Sequence, residues 1–278
     1  MPSGPTDLPD FSDPPLTEVV LGVQFNSLEK FNTPYVGRLW ELLQGDYPTA
    51  EEHPPIMPVF ETFGQPIPLT GGISFSPSSL LGMPRSFLLN ADKTKILQIQ
   101  RDRFLHNWRK LDDADNQYPR FEHILLKFEE ELRAFARFIE FQGLGTIEPN
   151  QCEISYINQI QIDKDQSPYN AMAEIFGSLI QYPDAEEIGP PDDANLLLRY
   201  IVKSADQRPI GRLVVSAEPG QLPNRQTIIQ LSLTVRGAPE PSDIAGAVAF
   251  LQAGRSHIVK TFAAITSPRM HEIWGRKQ

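Results

Sequence analysis

Two stretches of this chain are written to one pattern, and any fold it adopts has to accommodate both. Thr17-Glu18-Val19-Val20-Leu21-Gly22-Val23-Gln24-Phe25 is answered 135 positions later by Cys152-Glu153-Ile154-Ser155-Tyr156-Ile157-Asn158-Gln159-Ile160. Glu18 aligns with Glu153, Gln24 with Gln159, and apolar residues coincide at 19/154, 21/156 and 25/160. A second anchor follows each strand: Thr33-Pro34-Tyr35 and, 134 positions on, Ser167-Pro168-Tyr169. A hydroxyl at the N-cap and proline at the first helical position, where its missing N–H costs nothing, predict a helix start at both. Self-similarity at a fixed offset implies two copies of one supersecondary unit.

The rest of each copy can be read the same way. Tyr35, Leu39, Leu42 and Leu43, and then Tyr169, Met172, Phe176 and Leu179, fall at helical spacing behind the two starts. Strands are expected at 85–90, 94–100 and 103–109, the last two a hairpin around Arg101-Asp102, and at 195–204, 211–218 and 226–236. Each copy ends in a long amphipathic helix, carrying Phe121, Leu125, Phe128, Leu132, Phe135 and Ile139 in the first and Ile244, Val248, Leu251, Arg255, Ile258, Phe262 and Ile265 in the second. Arg255 stands where the first stripe has Leu132, so it must snorkel, find an ion-pair partner or meet a ligand. The expected fold is α+β, a tandem duplication of a strand, helix, three strands, helix unit. Antiparallel sheets would carry the long helices on one face in a pseudo-twofold saddle. Residues 1–15, with five prolines, read as a flexible or extended arm, 16–150 as the first lobe and 151–278 as the second. Residues 48–84 have no counterpart of matching length and read as an inserted loop, with short strands near Val59–Phe63 and Ile73–Phe75.

A net charge of −10 opposes a large phosphate-neutralising surface, so nucleic acid is a disfavoured partner. The single cysteine, Cys152, excludes an intramolecular disulfide and a thiolate zinc cluster, and its place in the alternation predicts a small buried hydrophobe. With no basic segment leading an apolar run and no apolar stretch of membrane-spanning length, a soluble, cytoplasmic protein without a membrane contact is the expectation. Phosphate loops, His-Glu-x-x-His, Gly-x-Ser-x-Gly, Cys-x-x-Cys and dinucleotide fingerprints are all absent, and no two of the five histidines have a metal-binding spacing. No cofactor, metal or catalytic residue is assigned.

Three constellations remain. The polar sides of the strands present Gln24, Gln98, Gln100, Gln159, Gln161 and Gln230, with Ser155, Ser232 and Thr234, where charged residues would be ordinary. Such a face could recognise a peptide, a base or a polar metabolite, or be a solvated sheet surface rich in glutamine. Arg101, Arg103, Trp108, Arg109 and Arg120 interleave cations with an aromatic ring, as for anion capture with stacking, although a tight hairpin with charged turns also accounts for them. Glu18 and Glu153, at equivalent strand positions, are candidate acids, which the repeat or structural ion pairing explains equally well.

The segments Pro14-Pro15-Leu16-Thr17-Glu18-Val19-Val20-Leu21-Gly22-Val23-Gln24-Phe25, Gln98–Phe104 with Asn107-Trp108-Arg109 and Tyr118-Pro119, Cys152–Asn158, and the ending His257, Phe262, Trp274-Gly275 together resemble a sporadically distributed bacterial protein family without an assigned activity. The resemblance implies an accessory gene of the mobile, defence-related or toxin-neutralising kind, and brings no catalytic residue. The leading expectation is a non-enzymatic interaction protein, a sensing or neutralising component with a protein partner of basic character. The alternative is a small-molecule enzyme or sensor with a pocket between sheet and long helix, built from Arg101, Arg109 and Glu153 around Trp108. A nucleic-acid-binding saddle comes third.

Overall fold

Alternating apolar and polar residues give the central strands at 16–25, 149–161 and 227–237 an apolar side to bury, and among the described residues backbone hydrogen bonds join nine strands into a single antiparallel sheet. The computed structural model describes residues 8–64, 83–111, 117–177, 189 and 191–277. The strands are β1 (Leu16–Phe25), β2 (Thr49–His53), β3 (Arg85–Leu89), β4 (Lys95–Gln100), β5 (Arg103–Arg109), β6 (Pro149–Gln161), β7 (Leu196–Lys203), β8 (Pro209–Gln221) and β9 (Thr227–Gly237). Between them run the helices α1 (Thr33–Leu43), α2 (Phe121–Phe141), α3 (Pro168–Phe176), α4 (Ile244–Ile265) and α5 (Pro268–Ile273). The architecture is mixed α/β, with strand order β2-β3-β4-β5-β1-β6-β9-β8-β7. What were expected as two lobes therefore share one continuous sheet, joined where β1 pairs with β6 and Gly22 lies opposite Glu153.

One face of the sheet is dry. Val19, Leu21, Val23 and Phe25 of β1, Cys152, Ile154 and Ile160 of β6, and Ile229, Leu231, Leu233 and Val235 of β9 are buried together with the stripes of α2 and α4. All six expected positions of the α2 stripe are buried. The long helices touch each other, α4 resting on β6 and β9 and α2 on β5. The close seat of α4 depends on Gly254, where a β-carbon would come within 2.6 Å of Ile154 Cγ2.

The structure departs from the expected elements in ways that have physical causes. Edge strand β2 and the short α5 are additional. No strand forms at Val59–Phe63, because Pro54, Pro55 and Pro58 cannot donate to a ladder and hold this stretch extended outside the sheet. The expected strand at Ile73–Phe75 and the helical Leu179 lie outside the described residues. Leu42 is 72% exposed, since α1 turns only Val36 and Leu39 fully inward. Of the arm, residues 8–15 are anchored: Phe11 packs edge-on against Phe262 at 5.4 Å, and the Ser12 and Asp13 N–H groups donate to Gly275 and Trp274 carbonyls.

A valine at 254 would drive its branches into β6. Gly254→Val is expected to lower the unfolding free energy by about 1–3 kcal/mol, measured by urea denaturation followed by circular dichroism.

Candidate functional site

The second face of the sheet is polar, and at one end of it the chain lies across itself. Residues 54–64 leave β2 and cross the strands in their spatial order, meeting β4, β5, β1 and β6 and then the arginines of β9 and β8. From β4 to β6 there are three inter-strand gaps, about 14 Å in all. The five residue-to-residue steps from Ile56 to Glu61 reach about 17 Å when extended. The segment must therefore run nearly straight and nearly perpendicular to the strands.

Side chains of the sheet grip its backbone. Gln100 matches one residue in both directions: the Ile56 N–H donates to Gln100 Oε1 at 3.0 Å, and Gln100 Nε2 donates to the Ile56 carbonyl at 2.9 Å. Arg103 Nη2 donates to the Met57 carbonyl at 3.0 Å, and the Val59 N–H donates to Gln24 Oε1 at 2.9 Å. The Glu61 N–H reaches Gln151 Oε1 at 3.5 Å, and Arg212 Nη2 donates to the Thr62 carbonyl at 2.7 Å. The Glu61 carboxylate is clamped by Arg212 Nε at 2.8 Å and by Arg236 at 3.6 Å, while Arg236 also pairs with Glu153. Arg103 Nη2 also donates to Gln24 Oε1 at 2.8 Å, which fixes both. Burial pulls the Arg103 guanidinium pKa down, against the charges of Asp102 and Glu153.

The attachment is polar. Met57 is 65% exposed, Val59 39% and Phe60 57%, so several apolar side chains of the segment point outward and contribute little burial. Each neutral backbone contact is worth about 0.5–1.5 kcal/mol net. Ordering each residue costs about 1–2 kcal/mol, which the prolines reduce by restricting the free chain. Residues 54–64 are thus held by a short set of polar contacts rather than by apolar burial.

The expected recognition face divides accordingly. Gln24 and Gln100 hold the crossing segment, and Gln98 is used laterally, accepting from Arg85 at 2.9 Å and donating to Asn107, which in turn donates to Glu18 at 2.6 Å. Gln159, Gln161 and Gln230 lie toward the other ends of β6 and β9, with Gln159 opposite Gln230 and Gln161 exposed. Glu18 and Glu153 are no acid pair, since Glu153 stands opposite Gly22 while Glu18 stands opposite Ile157.

The anion and stacking cluster is scattered. Alternation along β5 sends Arg103 to the polar face and Trp108 into the core, where it packs on Tyr118 at 5.3 Å. Arg101 donates to the Phe31 carbonyl, Arg109 to that of Lys93, and Arg120 to Asp10. A pocket built jointly from Arg101, Arg109, Glu153 and Trp108 is therefore excluded. Trp108 and Arg120 do share a cavity of about 440 Å³ on the helix side, together with Tyr156 and Arg255.

Glu61, Gln151, Arg212 and Arg236 were not singled out in the sequence. Their signal was present in the proline spacing at 54, 55 and 58, which favours an extended chain, and in two arginines on outward positions of the second half. A buried polar cluster was also missed: Tyr47 OH donates to Glu131 Oε1 at 2.6 Å, and His106 Nδ1 lies 2.7 Å from Glu131 Oε2. Burial and the Glu131 charge push the Tyr47 pKa far up, so this phenol serves as a fixed donor. Among the described residues no three His, Cys, Asp or Glu side chains converge as a metal site, and no helix is long and apolar enough to cross a membrane. No protein-family model, curated protein or solved structure matches this chain.

Replacing Gln100 by leucine removes two contacts to Ile56. Amide exchange at Ile56 and Val59 is expected to accelerate roughly 10–100-fold while Leu21 and Leu233 stay protected, as read by hydrogen–deuterium exchange. Burial pushes the Cys152 thiol pKa well up, so Cys152 is expected to resist iodoacetamide in the native protein at pH 7 and to react once unfolded.

Proposed function

We propose that this chain is a non-enzymatic interaction protein that reads an extended polypeptide across the polar end of its sheet, with residues 54–64 as the resident occupant. The observation that carries this reading is the set of amide and guanidinium side chains aimed at backbone N–H and carbonyl groups of a segment outside the sheet. Contacts to backbone accept many sequences, and the Arg212–Arg236 clamp adds one demand, a carboxylate at the position of Glu61. The overall acidity of the chain favours a partner with basic surface, whereas the groove itself favours an acidic residue in the bound segment.

The reading extends to the origin of the fold. Each half runs strand, helix, strands, long helix, and strand order is mirrored about the β1–β6 joint, which supports a duplicated unit with pseudo-twofold symmetry. Within that proposal, residues 54–64 are the first copy's addition, laid across both halves. A mobile or toxin-neutralising locus, as the family resemblance implies, is where such a protein would meet its partner.

The test uses a variant in which Ile56–Glu61 are replaced by glycine and serine, checked for folding by circular dichroism. A synthetic peptide of residues 54–64 is expected to bind it saturably by calorimetry. A Glu61→Gln peptide should bind about tenfold more weakly, and the unaltered protein should bind the peptide poorly. Equal binding of both peptides, or none to the folded variant, overturns the reading.

A further inference from the structure

On the opposite, helix-covered face, the cavity of about 440 Å³ lies between the centre of the sheet and α4, bordered by residues 9–14. Its size falls in the ordinary range for small-ligand pockets, about 300–1,000 Å³. Two kinds of surface meet in it. Leu233, Ile258 and Phe262 with the Trp108 ring supply an apolar bed, and Arg255 with Tyr118 and Tyr156 supplies donors.

The donors are incompletely used. Arg255 Nη1 donates to Glu122 Oε1 at 2.7 Å, at a carboxylate that is itself largely exposed, and the guanidinium lies 4.9 Å from the centre of the Phe121 ring. Arg255 Nε is buried and finds no acceptor among the described residues. The side chain as a whole is 26% exposed, lines the cavity and lies within hydrogen-bond reach of Tyr156, so an anionic acceptor can meet the guanidinium there. The Tyr118 and Tyr156 hydroxyls stand 3.1 Å apart. Only one proton can lie between two such oxygens, so the other remains to be donated. Burial raises the pKa of both phenols, which keeps them neutral donors and suits binding rather than proton abstraction.

We infer that this cavity binds a small aromatic carboxylic acid, its ring against Trp108 and Phe262 and its carboxylate on Arg255 and the Tyr118–Tyr156 pair. The inference stands apart from the peptide groove, which occupies the other face and shares none of these residues. It also assigns Arg255 a use beyond its pairing with Glu122: the guanidinium is planar and lines the cavity.

The probe is 2-naphthoate, titrated into the full-length protein by calorimetry, with uncharged 2-naphthamide as its isostere. Saturable binding of naphthoate is expected, with the amide about tenfold weaker. Arg255→Met should weaken naphthoate by about tenfold or more, and Gln100→Leu, on the other face, should leave it unchanged. Tyr156→Phe, which keeps the ring and removes one donor, should weaken it by about three- to tenfold and serves if Arg255→Met does not fold. Equal binding of acid and amide, no saturable binding of the acid, or unchanged affinity in folded Arg255→Met or Tyr156→Phe protein overturns the inference.

Discussion

The ladder between β1 and β6 closes the middle of the sheet and joins its two halves. Because α2 and α4 meet beneath this joint, the central strands must be dry on that side, and their alternation sends every second residue to the opposite face. One burial requirement thereby sorts the chemistry of the whole molecule. Leu21 and Ile154 go inward with the helices, while Gln24, Gln151 and Glu153 go outward from the same strands. Gly254 belongs to the same constraint, since any larger residue there would lift α4 off the joint.

The two faces present different hydrogen-bonding groups. A glutamine amide both donates and accepts, so it can match a peptide unit in either direction, as Gln100 does with Ile56. A lysine or glutamate on the same face could do only half of this. Around Arg255 the opposite holds: guanidinium and phenol groups have protons to give, and the matching partner is an acceptor with negative charge. His106 and Glu131 satisfy each other in the core, and Cys152 is held as a buried thiol.

Periodicity and caps carried most of the fold. The strands at 85–90, 94–100 and 103–109, the start at Ser167-Pro168 and the full α2 stripe were legible because local pattern and tertiary burial agree there. Their order across the sheet was not, because pairing β1 with β6 rather than closing two separate sheets is a long-range choice that local residues do not encode. The glutamine face could be read from alternation, but its occupant could not: residues 54–64 have no period, and their partners are side chains of strands far away in sequence. The hairpin cations were read as one cluster because neighbours in sequence were treated as neighbours in space. In a strand the reverse holds, and Arg103 and Trp108 face opposite ways.

Residues 54–64 continue directly from β2, which lies at the margin of the sheet and ends at His53. Whatever takes their place on the face therefore pulls on the exit of that outermost strand. Displacement of the segment would be conveyed along the covalent backbone. A binding event at the centre would be announced at the rim, as a length of proline-bearing chain, with Met57 and Phe60 on it, released into solvent.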